Sequence, residues 1–218
     1  MTRFYRWHID AALYDLNPPR VTTLYGIAVP QGNNQLCRYD DGTGDELEVP
    51  LGTTAFVSGR TMFDILPEAY KSLAVRSKVK YSPHPYVWMA SARAMPTGLG
   101  IESEGLEIPT EELPEWEESK LKIFPMVYLV SYYADETDLF FCLDVKTWKN
   151  PVTGNLHFEV HPCGAKEILV DPLPEGAKRE GALYPDGTLI SDLKEVRSLL
   201  YKMQRPAISP PVSRLTQP

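Results

Sequence analysis

The stretch Phe4-Tyr5-Arg6-Trp7-His8-Ile9-Asp10 decides how this chain is read. Aromatic and β-branched residues dominate it, which predicts a strand. Side chains on a strand alternate between faces, so His8 and Asp10 fall on one face and Trp7 and Ile9 on the other. An imidazole and a carboxylate two residues apart form a preset pair of ligands for a divalent metal. With a second histidine from elsewhere they make the two-His, one-carboxylate face that leaves positions open on Fe(II). The spacing alone has low specificity, because solvated strand faces carry the same pair by chance.

Composition narrows the classes. At 218 residues a single domain is expected, able to bury well over half of the surface its unfolded chain exposes. The formal net charge of -7 argues against nucleic-acid binding, which needs a basic stripe. Cys37, Cys142 and Cys163 are scattered and odd in number, which suits a reducing interior and makes neither a disulfide framework nor a Cys-x-x-Cys metal site. The first residues lack a charged-then-apolar leader, and no apolar run would span a bilayer. A soluble, cytoplasmic protein is the expectation, with no membrane partner.

Along the chain, Asn17 to Arg20 reads as a Pro-rich turn and Val21 to Val29 as a second strand, closed by Pro30 and the turn Gln31-Gly32-Asn33-Asn34. Asp40 to Glu48 is acidic and bears glycine; it lacks EF-hand spacing and reads as a solvated loop. Thr53 to Ser58 predicts a strand, followed by an apolar-periodic piece with Met62, Phe63, Ile65 and Leu66 and a second helix opened by Pro67 through Ala74. Ser77 to Met89 predicts further strand, with His84 held between prolines in a packing or capping role rather than as a ligand. Glu102 to Glu118 carries eight glutamates with no basic partner inside the run, a solvated loop with a short exposed helix. Asp192 to Lys202 predicts a capped helix, with Glu195 three residues after the cap, a stripe of Leu193, Val196, Leu199 and Leu200, and Pro206 beyond its end.

The run Arg6-Trp7-His8-Ile9-Asp10-Ala11-Ala12-Leu13-Tyr14 and the segments Val21 to Gly26, Tyr39 to Asp45, Gly52 to Gly59, Pro83 to Met89 and Trp148 to Gly154 together resemble the taurine-dioxygenase-like (TauD/TfdA) family of Fe(II)/2-oxoglutarate oxygenases, most of all its fungal xanthine-dioxygenase branch. The resemblance implies a mainly β fold with flanking helices, a partial double-stranded β-helix of the jelly-roll, cupin-like kind. It implies Fe(II) held by His8 and Asp10, 2-oxoglutarate as cosubstrate with Thr54 beside its carboxylate, O₂, and a small-molecule substrate, with xanthine to uric acid as the reaction and purine catabolism as its setting. Without the resemblance, Thr54 is an ordinary strand residue.

Two segments depart from the family pattern. Val127 to Thr147 is β-rich and has no counterpart in it, and the match fades after Ile208, so the domain is read as residues 1–208 interrupted by an insert at 127–147 and followed by an atypical tail at 209–218. Valine codons begin with GT, as most introns do, and a valine lies at or near the start of each departure. Both segments are therefore expected to be translated introns, against the alternative of a genuine insertion and tail. In the family the distal histidine ligand and the 2-oxoglutarate-clamping arginine lie beyond this chain's last residue. The chain alone is accordingly expected to be inactive although its family is enzymatic. The alternative is a non-catalytic, truncated jelly-roll fragment or binding protein. A further alternative, a zinc hydrolase, would use His157, Glu159 and His161, which share a face at period two. A solvated strand face is the commoner meaning of that alternation. Transcript sequence lacking residues 127–147 and 212–218 is the expected outcome; reads carrying both in frame would refute the intron reading.

Overall fold

The computed structural model describes residues 6–9, 25–102, 106–130 and 155–215. Its central strand is β3 (Ser77–Tyr81), in which Ser77, Val79 and Tyr81 are buried while Lys78 is exposed and Lys80 half-buried. That period of two is the signature of a sheet with one covered face. β4 (Ile123–Pro125) and β7 (Ala165–Val170) pair on either side of β3, and β8 (Thr188–Ile190) extends β7, giving an antiparallel sheet in the order β4-β3-β7-β8. The register slips at Lys80/Tyr81, where Glu167 and Ala165 are the successive partners. Lys166 is the extra residue of a bulge, which lets Ala165, Ile168 and Val170 all turn inward although their spacing breaks strict alternation.

Helices cover the inner face. α1 (Gly59–Asp64) starts where the Ser58 hydroxyl accepts the Thr61 N–H, and it sends Met62 and Phe63 into the core. α2 (Glu68–Val75) follows Pro67 and buries Leu73 and Ala74. α4 (Leu193–Gln204) is capped by Asp192, whose carboxylate accepts the Glu195 N–H at 2.9 Å. Val196, Leu199, Leu200 and Met203 form its buried stripe and join Val79, Ile168, Phe158 and Val160 in one cluster. Pro206 lies in the short 3-10 turn Arg205–Ile208 that ends the helix, and α5 (Pro210–Leu215) follows it.

Two hairpins complete the described chain. β1 (Gln35–Arg38) pairs with β2 (Glu46–Val49), and β5 (Val127–Val130) with β6 (Asn155–Phe158). The first four residues of the β-rich segment at 127–147 thus lie on a regular ladder; residues 131–147, Cys142 among them, lie outside the described residues. Cys37 and Cys163 are free and buried.

Several expectations need correction. Thr53–Ser58 forms no ladder among the described residues: it is bracketed by the Gly52 turn, at φ +73, and the Ser58 cap. Residues 25–29 likewise lie in no strand, with Tyr25 and Ile27 largely exposed. The strand from Ser77 stops at Tyr81, because the Pro83-His84-Pro85 run starts α3 (Pro85–Trp88). His84 takes the N-cap position with φ 44, and its Nε2 contacts the Glu115 carbonyl at 3.2 Å.

The acidic loop Asp40–Asp45 is not solvated throughout. Arg205 reaches into it, with Nε 2.6 Å from Asp41 Oδ2 and Nη2 2.6 Å from Asp45 Oδ2. Its guanidinium lies 4.5 Å from the Tyr39 ring centroid, and the Tyr39 hydroxyl donates to the Ile208 carbonyl. Burial would raise the Asp41 pKa, but hydrogen bonds from Arg205, Thr43 and Tyr201 overcome it and hold the carboxyl well below its usual range. Within the glutamate run, Glu107 pairs with the half-buried Arg197 and Glu118 with Lys80, partners that come from distant strands and helices.

Removing Arg205 strands the buried Asp41 carboxylate, so Arg205→Ala is expected to cost about 3 kcal/mol or more. Lys120→Ala breaks only the exposed pair with Glu117 and is expected to cost under about 0.5 kcal/mol. Urea denaturation of the two variants side by side checks the contrast.

Candidate functional site

The segment Arg6–Ile9 is held by its neighbours rather than by a ladder of its own. Arg6 Nη2 donates to the Ala92 carbonyl at 2.5 Å. The Trp7 backbone N–H donates to Gly98 O at 3.1 Å, and the indole Nε1–H donates to Thr97 O at 2.9 Å. The indole also packs against Cys37, Tyr39, Leu47, Val49, Leu99 and Ile208, the small core between the β1–β2 hairpin and the end of α4. Residues 6–9 thus lie in no strand, contrary to the strand expected over Phe4–Asp10, and within them Trp7 is half-buried and His8 exposed.

His8 is the exposed residue of this segment. Its Nδ1 lies 3.4 Å from the Arg6 carbonyl, a long contact that favours the proton on Nδ1. Asp10 lies outside the described residues. Thr54 is exposed, in the irregular stretch between the Gly52 turn and α1. Val57, three residues on, packs against both the main core and the Trp7 core, which ties that stretch to the wall carrying His8.

The expected face of His157, Glu159 and His161 is not a solvated one, nor is it a metal site. His161 is 1% exposed, and its Nδ1 accepts the Gly164 N–H at 3.2 Å. A neutral ring that accepts at Nδ1 carries its proton on Nε2 and has no second lone pair to offer a metal. Among the described residues no three His, Cys, Asp or Glu side chains are placed to hold an ion. His161 lies in the interior beside Phe158 and Val160, while His157 and Glu159 are half-buried where α1 packs against the β5–β6 hairpin.

These groups still make an unusual polar surround behind His8. The His161 backbone N–H donates to the buried Tyr81 hydroxyl oxygen at 3.1 Å, and its ring meets Tyr86 edge-on, with centroids 5.7 Å apart. Burial holds His161 down at about 4, and the nearby charges of His8 and Arg6 act in the same direction. Burial pushes Glu159 up to about 7. It also raises Tyr81, with Glu159 adding to the shift. The amino-acid order carries no sign of this surround, apart from the alternation that brought the trio to notice.

Comparison with known proteins identifies the class. Residues 1–201 match the family described as taurine catabolism dioxygenase TauD, TfdA. The chain belongs to that family. It is 50% identical over 212 residues to the alpha-ketoglutarate-dependent xanthine dioxygenase of Neurospora crassa, covering 96% of this chain and 42% of the relative. It is 48% identical to the enzyme of that name from Schizosaccharomyces pombe, with 96% and 43% covered. An alpha-ketoglutarate-dependent dioxygenase of Phomopsis amygdali is 31% identical over 96% of this chain and 46% of its own length. The chain thus spans less than half the length of the curated relatives it matches. No solved structure matches it.

The two buried groups titrate in opposite senses. Glu159 has a folded pKa of about 7 above a reference of 4.5, so its contribution is full below pH 4.5 and is lost as pH rises through 7. His161, at about 4 against 6.5, contributes fully above pH 6.5 and loses that contribution as pH falls towards 4. Glu159→Gln is therefore expected to gain stability relative to the parent between about pH 4.5 and about pH 8, by on the order of 2 kcal/mol. Denaturation midpoints measured at both pH values check the sign.

Proposed function

We propose that the protein carrying this segment is an Fe(II)- and 2-oxoglutarate-dependent dioxygenase that converts xanthine to uric acid. Residues 1–208 form part of its jelly-roll domain, with 127–147 as an insert and 209–218 as an atypical tail. The observation that carries the reading is the 50% identity, over 96% of this chain, to a relative named for that activity. Dioxygenases named for alpha-ketoglutarate dependence use Fe(II) and 2-oxoglutarate, which is the chemistry expected of the His8–Asp10 pair.

When bound, the iron supplies oxidative decarboxylation of 2-oxoglutarate coupled to substrate hydroxylation by O₂. In this reading His8 offers Nε2 and Asp10 a carboxylate oxygen, and the Thr54 hydroxyl donates to a carboxylate of 2-oxoglutarate. The Arg6 and Trp7 hydrogen bonds to residues 92–98 fix the backbone that carries His8. The apolar wall behind Trp7 supports the assignment.

A chimera tests the reading. The Neurospora crassa relative with this chain in place of its matching region is expected to release succinate from 2-oxoglutarate when Fe(II) and xanthine are supplied. His8→Ala and Asp10→Ala in the chimera are expected to lower that rate more than about a hundredfold, beyond the usual cost of an outer-shell change. Thr54→Val is expected to raise the KM for 2-oxoglutarate and leave Fe(II) affinity unchanged. Succinate release that survives His8→Ala would overturn the assignment.

A further inference from the structure

Residues 6–8 owe their place to a compact loop. Residues 92–102 fold back on themselves: Ala94 bridges Ile101, the Glu102 N–H donates to Arg93 O at 2.8 Å, and the Met95 N–H donates to Gly100 O at 3.1 Å. The Gly98 N–H closes the tip by donating to Met95 O at 2.8 Å. Gly98 has φ 72 and Gly100 φ 84, where a Cβ is strained. The tip presents two carbonyls to one residue. Thr97 O accepts the Trp7 indole N–H at 2.9 Å, and Gly98 O accepts the Trp7 backbone N–H at 3.1 Å. Thr97 is completely buried, and Leu99 shares a small core with the Trp7 ring.

We propose that Trp7 is a positioning residue for His8, with the Thr97–Gly98 tip as its socket. The metal part of this inference rests on the reading of His8 as an iron ligand. The Arg6–Trp7 peptide is trans, so its N–H and its carbonyl point in opposite directions within one plane. The N–H is docked on Gly98, and the carbonyl faces His8 Nδ1 at 3.4 Å. The bond that seats Trp7 therefore also sets the oxygen that the His8 ring faces. The indole N–H and the packed ring hold Trp7 at two further points, which removes rotation about the chain axis. His8 follows one peptide unit later. Imidazole ligands lose about ten- to a hundredfold in metal affinity when the groups that orient them are removed.

The test compares three variants of the full chain by NMR relaxation. Trp7→Phe keeps an aromatic ring in the core and deletes the indole N–H. Gly98→Ala keeps both carbonyls and disfavours the φ of 72 that aims them. Gly176→Ala, in the loop before β8, is the control: its φ is 79 and an added Cβ meets nothing within 4 Å, so it carries backbone strain alone. The order parameter of the His8 amide is expected to fall from about 0.85 to below about 0.6 in the first two variants and to hold in the third. The core amides of Val79 and Ile168 are expected to keep their order in all three. Unchanged His8 order in both Trp7→Phe and Gly98→Ala would overturn the proposal. So would an equal loss at Val79 and Ile168, which means general loosening, or a loss at His8 in Gly176→Ala. Co(II) titration is expected to show binding to the parent that His8→Ala abolishes and Trp7→Phe weakens about tenfold. An unaltered affinity in Trp7→Phe, in a parent that binds through His8, would also overturn it. Co(II) binding that is absent from the parent or indifferent to His8→Ala sinks the ligand reading instead, and His8 order then decides alone whether Trp7 positions the residue.

Discussion

Much of this structure depends on one buried cation, the Arg205 guanidinium. It stands between Asp41 and Asp45 and over the Tyr39 ring, and so binds the loop of the β1–β2 hairpin to the end of α4. A two-stranded hairpin is marginal by itself in water, so β1–β2 needs another element to close on. The clamp supplies it. The apolar contacts of Tyr39, Leu47 and Val49 with Leu99 and Ile208 then form a small core on which Trp7 rests. The arrangement also explains why Asp41-Gly42-Thr43-Gly44-Asp45 is no cation loop despite its acidic, glycine-bearing look: a side-chain cation already fills it.

The larger core follows from more ordinary rules. Helix α4 lays a stripe of four buried residues across β7, and the bulge at Lys166 turns the right residues of that strand to meet it. At the far end, Arg76 caps the carbonyls of Asp171, Leu183 and Tyr184, which fastens α2 to the Pro- and Gly-rich loop before β8. The two cores share Val57, so the stretch carrying Thr54 and the segment carrying His8 are supported by one continuous body of packed side chains.

Within the site, hydrogen bonding separates two histidines that look alike on paper. His8 faces the Arg6 carbonyl with Nδ1; His161 accepts an amide N–H at Nδ1, which places its proton on Nε2. The first is exposed, while the second is sealed against Tyr81 and Tyr86. Burial then keeps His161 neutral and Glu159 protonated far above the usual carboxylate range. A protein that carries a metal beside such groups would keep fixed dipoles there instead of extra charge.

The amino-acid order by itself determined the elements whose signals are local. The Asp192 cap and its 3.6-period stripe made α4 legible, Pro67 opened α2, and the proline pair around His84 set that residue apart from the ligands. The family was legible in the same way, from runs of residues along the chain. Only the tertiary structure decided the rest. Thr53–Ser58 has strand composition yet no ladder, because a strand needs a free edge beside it as well as β-branched residues. Residues 157–161 alternate as a solvated face would, yet His161 is buried and His157 and Glu159 are half-buried, because α1 packs on that hairpin. Arg205 and Asp41 stand 164 residues apart, and nothing within a helical turn or a strand pair of either one announces the other. Local periodicity reports which face of an element is apolar; what that face meets is settled by the packing of distant segments.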